Sequence, residues 1–400
     1  MDRNKVVSLE SLQGRCPGFY GLLGVLGAIL VLGLGASWYM EHHGHYVTGM
    51  NNQVVWGTPH VFAVFLILAA SGALNAASAA SVFNRAHFKP LAPLSGVLAI
   101  GLLVGGLMVL VLDLGRPDRL IVAMTSYNFR SIFTWNVFLY TGFILVVAIY
   151  LWTMLERRMN AYSRSAGTLA FLWRLVLTTG TGCIFGFLVA RQAYDAALMA
   201  PLFVAMSFSF GWAIFVLVLL ATFHWSKRAL GDSLVSRLQQ LQGIFVAVVL
   251  YFVAVYHLTN LYAAEHAAVE RFLLFDGGVY TYLFWMGQIF FGSLVPLVIF
   301  FSSPTRGSRT WLSIGCILVI LGGLSHVYVT IIGGQAFPLS IFPGKEIVES
   351  GFADGVVAAY VPSLPEVLLG LGGVAAALLI VLFGIKILRV LPADLADTVG

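Results

Sequence analysis

The chain has 400 residues, of which 60% are hydrophobic and only 10% charged, with a mean hydropathy of +0.92. A soluble globular domain carries roughly 25% charged residues, so the composition excludes one and specifies an integral membrane protein. The net charge of +5 is too small to imply a nucleic-acid partner, and what informs is where the charges fall.

Met1 to Gly18 is charged and lacks a cleavable signal before the first apolar run, so Phe19–Met40 reads as a retained first helix. Nine further runs are long enough to cross a hydrocarbon core of roughly 30 Å at about 20 residues each. They are Trp56–Phe83, Leu94–Leu112, Ile132–Leu155, Thr168–Val189, Ala200–Phe223, Ile244–Ala263, Val279–Phe301, Trp311–Ile332 and Glu366–Val390. The expectation is an all-α polytopic protein of ten transmembrane helices forming one membrane domain over residues 1–400. Gly101 and Gly105 in the third run, and Gly370 and Gly373 in the tenth, offer small-residue packing positions. Pro296 is expected to kink the eighth run, and no internal repeat is evident.

Lys and Arg concentrate in one set of connections, which hold Arg3, Lys5, Arg15, Arg85, Lys89, Arg157, Arg158, Arg164, Lys227, Arg228, Arg237, Arg306, Arg309, Lys386 and Arg389. The opposite set holds only Arg116, Arg119, Arg130, Arg191, Arg271 and Lys345, with Arg174 near the start of the fifth run. By the positive-inside rule both termini are expected in the cytoplasm, with the turn that carries His60 outside. The outer connections are the elaborate ones: an amide-rich turn over Gly49–His60, Asp113–Arg119, and the Pro- and Gly-rich Gly333–Pro365. The chemistry is therefore expected on the outer side.

His60, His257 and His326 are the histidines inside spans, all in the outer halves. An ionisable group in a bilayer span is costly and marks a candidate functional site. A quinone pocket needs an apolar slot, hydrogen-bond donors at the carbonyl oxygens and a group that exchanges protons with the quinol. Histidine suits the last role, so His60 with Trp56 and Asn52 forms a candidate set; the alternative is that His60 merely bonds a backbone carbonyl or a buried partner. Asp113 and Arg116 at the outer end of the third run are expected to pair, either as a loop staple or as a relay carrying a quinol proton to outer water. Arg191 and Tyr194 at the outer end of the fifth run are a weaker pair of the same kind. His257 and His326 read as satisfied core histidines rather than ligands, and His42, His43 and His45, dense enough to suggest a metal, as a solvated loop.

Cys16, Cys183 and Cys316 stand singly, so the chain is not expected to ligate an iron–sulfur cluster or structural zinc. A dihaem wire needs ligands in both membrane halves, which these histidines do not supply, although a single outer haem on two of them stays open. A secondary transporter is the other alternative, disfavoured by the absence of an inverted repeat.

The segment from Trp56-Gly57 to Ser81-Val82-Phe83-Asn84-Arg85, followed by Leu112-Asp113-Leu114-Gly115-Arg116-Pro117, resembles the NrfD/PsrC family of membrane quinone subunits over nearly the whole chain. Ten helices resemble the branch that includes HybB, and Gly49–Phe83 with Val111–Met124 is most similar to DsrP-type subunits of dissimilatory sulfur metabolism. The resemblance implies a subunit of an oxidoreductase complex, with quinone or menaquinone bound as substrate and no haem or cluster of its own. It implies a prokaryotic inner membrane and a quinone site that includes His60, early in the second helix, and Tyr194, near the outer end of the fifth; Trp56, Asn52, Asp113 and Arg116 join that candidate site on the reading of the residues themselves. HybB carries an acid where this chain has Ala63. The implied partners are a periplasmic ferredoxin-like iron–sulfur subunit, a periplasmic multihaem cytochrome c, a membrane cytochrome b and its cytoplasmic iron–sulfur subunit.

Overall fold

The computed structural model describes residues 8–12, 17–339 and 355–397; Cys16, Arg3, Lys5, Arg15, Lys345 and the middle of the Gly333–Pro365 connection lie outside the described residues. Among the described residues, ten helices are long and apolar enough to span a membrane. They are α1 (Pro17–His43), α2 (Thr58–Ser81), α3 (Ala86–Leu112), α4 (Ile132–Leu155), α5 (Arg157–Gly186), α6 (Met199–Ser226), α7 (Asp232–Tyr262), α8 (Val279–Phe301), α9 (Arg309–Ala336) and α10 (Leu364–Ile387).

Several helices outrun their apolar windows, for local reasons. The first turns of α7 contain Gln239, Gln240 and Gln242, which lower the hydropathy, but Leu234, Val235 and Leu238 share a face and are buried. Helix α1 continues to His43, where His42 stacks on Trp38 and His43 on Tyr39, so these two rings belong to a helix end and not to a loop. Helix α8 does not simply kink at Pro296. It widens to π geometry over Leu283–Leu294 before resuming as α-helix at Val295–Phe301, which accommodates the missing proline N–H upstream of the ring.

The spans close into two four-helix rings, α2 to α5 and α6 to α9, with α1 packed on α10 and α10 on α2 and α3. Such closure into two rings is invisible in the sequence because it rests on contacts between helices that no local pattern records. Helix α2 is the hub, almost entirely buried between α3, α6, α9 and α10. It reaches α6 through Gly72 and Gly211, whose backbones touch. Gly105 of α3 meets Gly373 of α10 in the same way. Lipid gives no hydrophobic drive between helices, so small residues that let backbones approach supply the packing energy.

Leu9–Glu10 pairs antiparallel with Leu391–Pro392, and the Arg228 guanidinium donates to Leu391 O, Pro392 O and Glu10 Oε2. Both termini therefore sit on one face, and the His60 turn lies on the opposite face because one span separates it from the N-terminus.

Candidate functional site

The first turn of α2 begins at Gly57, with Pro59 where a missing N–H costs nothing. This aims His60 into the α2–α5 ring. The preceding loop is clamped from three sides. Gln335 Oε1 accepts from Val55 N and Trp56 N at 3.0 Å each, while its Nε2 donates to Trp56 O. Arg191 donates to Gln53 O at 2.7 Å and Gln335 O at 3.0 Å. Thr58 N donates to Tyr360 Oη at 2.7 Å, and that hydroxyl donates to the buried Glu366 carboxylate at 2.6 Å. Glu366 also accepts from Gly49 N and Ser363 N. Burial, reinforced by the adjacent Glu366, raises the Tyr360 phenol pKa, which keeps its proton in this network. Gln335→Ala leaves two loop N–H groups without acceptors and is expected to lower the unfolding free energy by about 1–3 kcal/mol, read as the denaturation midpoint in detergent.

His60 Nδ1 lies 2.9 Å from Asp113 Oδ2, with the carboxylate side chain 1% and the imidazole 21% exposed. The approach is off the ring's N–H direction, so neither atom completes an aligned hydrogen bond. We read the contact as an ion pair or proton-sharing pair held by position. Asp113 Oδ1 is likewise buried without a partner, an arrangement that is costly unless a proton or ligand completes it.

His60 lines a cavity of about 480 Å³, within the roughly 300–1,000 Å³ usual for small-molecule sites, and Asp113 lies behind the imidazole. Its walls are Val64, Ile67, Leu107, Leu110, Phe133 and Phe185, and its polar positions are Trp56, His60, Asn136, Tyr140, Thr141 and Thr181. Asn136 Oδ1 is buried without a hydrogen bond. Trp56 lies nearly parallel to His60 at 6.1 Å between centroids and edge-on to Phe185 at 5.8 Å. Leu120 and Met124 of the short helix Leu120–Thr125 cover the rim.

Of the residues expected from sequence, His60, Trp56 and Asp113 come together, the first two on the cavity wall and Asp113 directly behind the imidazole. Tyr194 stands one layer back: it stacks on Trp56 at 6.4 Å, and its hydroxyl donates to Ile331 O at 2.6 Å. Burial raises its pKa, so it holds Trp56 as a neutral phenol. Arg191 does not pair with Tyr194 through its side chain but serves the loop clamp, and partial burial there lowers its pKa.

Three expectations are corrected. Arg116 does not pair with Asp113. It is exposed and binds Asp118 through two hydrogen bonds of 3.0 and 2.9 Å, which raise its pKa and lower that of Asp118. Helix α3 ends at Asp113, and the following turn carries Arg116 outward, away from the buried carboxylate. Asn52 is exposed and lines no part of the cavity: it sits at the tip of a turn in which Asn51 Oδ1 accepts from Gln53 N and Val54 N, and the chain turns inward only at Val54. Arg174 is also displaced from its expected place near a helix start. It lies in the middle of the helical stretch Ser163–Gly186, 1% exposed, donating to Asn75 Oδ1 at 2.7 Å and Ser71 O at 3.0 Å, with its charge over the Phe208 ring.

Asn136, Tyr140 and Thr181 escape a reading of the sequence, although a lone Asn inside the Ile132–Leu155 run is a readable signal. Gln335, Tyr360 and Glu366 are hidden for another reason: Gln335 and Tyr360 act on loop backbone atoms some 280 or 300 residues away in sequence, and Glu366 on Gly49 N at a similar separation.

A second cavity of about 400 Å³ lies on the other side of α2, between α1, α6, α9 and α10. Its lining is apolar apart from Thr222 and Trp225, so it lacks any group that exchanges protons near neutral pH.

Fold and site together define a polytopic helical membrane protein with a mostly apolar cavity that His60 lines and Asp113 backs. The chain belongs to the family described as polysulphide reductase NrfD, whose model matches residues 46–339. It is 29% identical over 395 residues, 98% of this chain and 99% of the relative, to the Hdr-like menaquinol oxidoreductase integral membrane subunit of Archaeoglobus fulgidus. The C subunit of the polysulfide reductase of Wolinella succinogenes is 26% identical over 316 residues, 72% of this chain and 96% of the relative. The menaquinone reductase integral membrane subunit of Nitratidesulfovibrio vulgaris is 23% identical over 338 residues, 78% of this chain and 81% of the relative.

Proposed function

We propose that the chain is the quinone-reactive membrane subunit of a multi-subunit oxidoreductase, exchanging electrons between a menaquinone-type pool and a cluster on a partner docked at the face opposite the termini. The observation that carries this reading is the cavity that joins an apolar slot to the His60–Asp113 pair. A quinol entering from lipid gives one hydroxyl proton to His60, whose cationic form Asp113 stabilises, and Asp113 hands the proton toward the outer water. The two electrons leave to the partner. Asn136 and Tyr140 present polar groups for the far oxygen of the ring. A polar row, Thr181, Thr178 and Ser71, leads from the cavity toward Arg174. The Arg174 guanidinium at the end of that row repels a proton moving that way, which favours release past Asp113.

In this reading both termini are cytoplasmic and the partner is a periplasmic ferredoxin-like iron–sulfur protein. A DsrP-type complex would add a multihaem cytochrome c, a membrane cytochrome b and a cytoplasmic iron–sulfur subunit, and place the protein in sulfur metabolism. The names of the relatives, which are membrane subunits of menaquinol and polysulfide enzymes, support the quinone and leave the donor or acceptor to experiment.

Leu110→Trp tests occupancy without touching the proton groups. The side chain is half-buried on the α3 wall of the cavity, and the added ring fills the slot. Quinone extracted from the purified variant is expected to fall to about a tenth or less of the wild-type amount, with the helical circular dichroism unchanged. Undiminished quinone places the site elsewhere.

A further inference from the structure

The second ring, α6 to α9, contains buried titratable groups that the quinone site does not use. Glu270, on the short helix Ala267–Arg271 after α7, is 0% exposed. Its Oε2 lies 2.6 Å from His257 Nδ1, and its Oε1 accepts from Asn260 Nδ2 at 2.9 Å. Among the described residues each ring thus carries a histidine paired with a buried carboxylate, and both pairs lie toward the face opposite the termini.

The surroundings of the two pairs differ in one decisive respect. Beside His60 there is room for a quinone ring; beside His257 the cavity is only about 20 Å³, which is one water. That cavity also touches His326, Gln288 and Thr330. On the far side of His326 a second cavity of about 10 Å³ is lined by Gln288, Ser293 and Ser209. Gln288 Nε2 is buried without a partner, as is Gln242 Oε1 beyond it. Gln242 Nε2 donates to Ser209 O and lies within reach of Ser209 Oγ. One turn further, Gln239 bonds Ile299 O, Phe300 O and Thr305 O at the termini face. Unpaired polar atoms next to water-sized voids are where ordered water completes a network. The backbone is π-helical over Leu283–Leu294, which carries Gln288 and Ser293, and over Val329–Gly333, just after His326; such widenings concentrate at functional sites.

We propose that the α6–α9 ring holds a proton-binding site, the Glu270–His257 pair, loaded through an internal relay of His326, Gln288 and bound water that runs from the termini face. The ligand is a proton carried on water. Each step moves one proton between water, imidazole and carboxylate, and no electron changes hands. The other titratable groups around the pair are Tyr256, whose hydroxyl donates to Ala193 O, His266, whose Nδ1 lies 2.6 Å from Gln192 O, and the exposed Glu265 beside His266. Of these, Tyr256 lines the same small cavity as His257 and His326, with its hydroxyl proton committed to Ala193 O. A purely structural clamp would need neither the cavities nor the unpaired amides.

The test needs no quinone. The full chain in lipid nanodiscs is followed by infrared spectroscopy in the carboxyl C=O region during pH titration and after a pH jump. A pH-dependent carboxyl band that Glu270→Gln removes is expected. His326→Leu, which leaves the pair intact, is expected to slow the jump response of that band about tenfold or more, and Gln288→Leu to slow it in the same direction. The proposal is overturned if no carboxyl band responds to pH, if Glu270→Gln leaves the band in place, or if both relay variants respond at the wild-type rate.

Discussion

Quinol-dependent electron delivery is expected to fall by about a hundredfold or more when His60 is replaced by alanine in the assembled complex, the size of effect that follows loss of a positioned acid–base group. The imidazole is the wall group that both faces the cavity and touches a buried carboxylate. Removing it deprives the quinol of its proton acceptor and leaves Asp113 buried beside an empty space. Because the apolar walls remain, bound quinone is expected to persist, so the loss should appear in the maximal rate rather than in quinone affinity. Asp113→Asn is expected to act in the same direction and less severely, since His60 still accepts the first proton but its cation loses the neighbouring negative charge. Steady-state rates with a soluble quinol analogue check both. A His60→Ala rate equal to wild type would show that the proton leaves by another route.

The second large effect concerns the joint between the two rings. A Cβ on Gly211 would fall against Ala69 O, Ala73 N and the Gly72 carbonyl carbon, all backbone atoms of α2. Backbone cannot swing aside as a flexible side chain can, so α2 and α6 must separate. Gly211→Val is therefore expected to cost about 4 kcal/mol or more, seen as loss of monodisperse protein on size exclusion in detergent. Gly24→Val in α1 is the control, because a Cβ there meets nothing within 4 Å. Equal behaviour of the two variants would mean that the rings are not joined through this contact.

The ten spans are legible because the bilayer demands one property, about 20 apolar residues in a row, and the sequence displays it without reference to anything distant. His60 is legible for a related reason: an imidazole amid Val, Phe and Ala stands out. Its partner is not. Asp113 and Arg116 are close in sequence, and a helical reading joins them, but the helix stops at Asp113 and the guanidinium finds Asp118 instead. What joins Asp113 to His60 is the packing of α3 on α2, which no local pattern contains. Asn52 fails similarly: three amides and a tryptophan in one turn look equivalent on paper, and only the direction of the turn decides which face inward. The partition into two rings and the placement of Glu270 against His257 also depend on contacts that hydropathy cannot encode. Glu270 reads in sequence as one more charge in an outer loop, whereas it is fully buried.

Where the quinone binds is decided most directly by photolabelling the complex with an azido-menaquinone analogue and mapping the modified peptides. Label is expected on α2 and α4 near His60, Phe133 and Tyr140, and to be displaced by unmodified menaquinone. Label confined to Phe62, Leu217 and Leu378, which line the apolar cavity on the other side of α2, would contradict the assignment of the His60 cavity as the site of quinone chemistry.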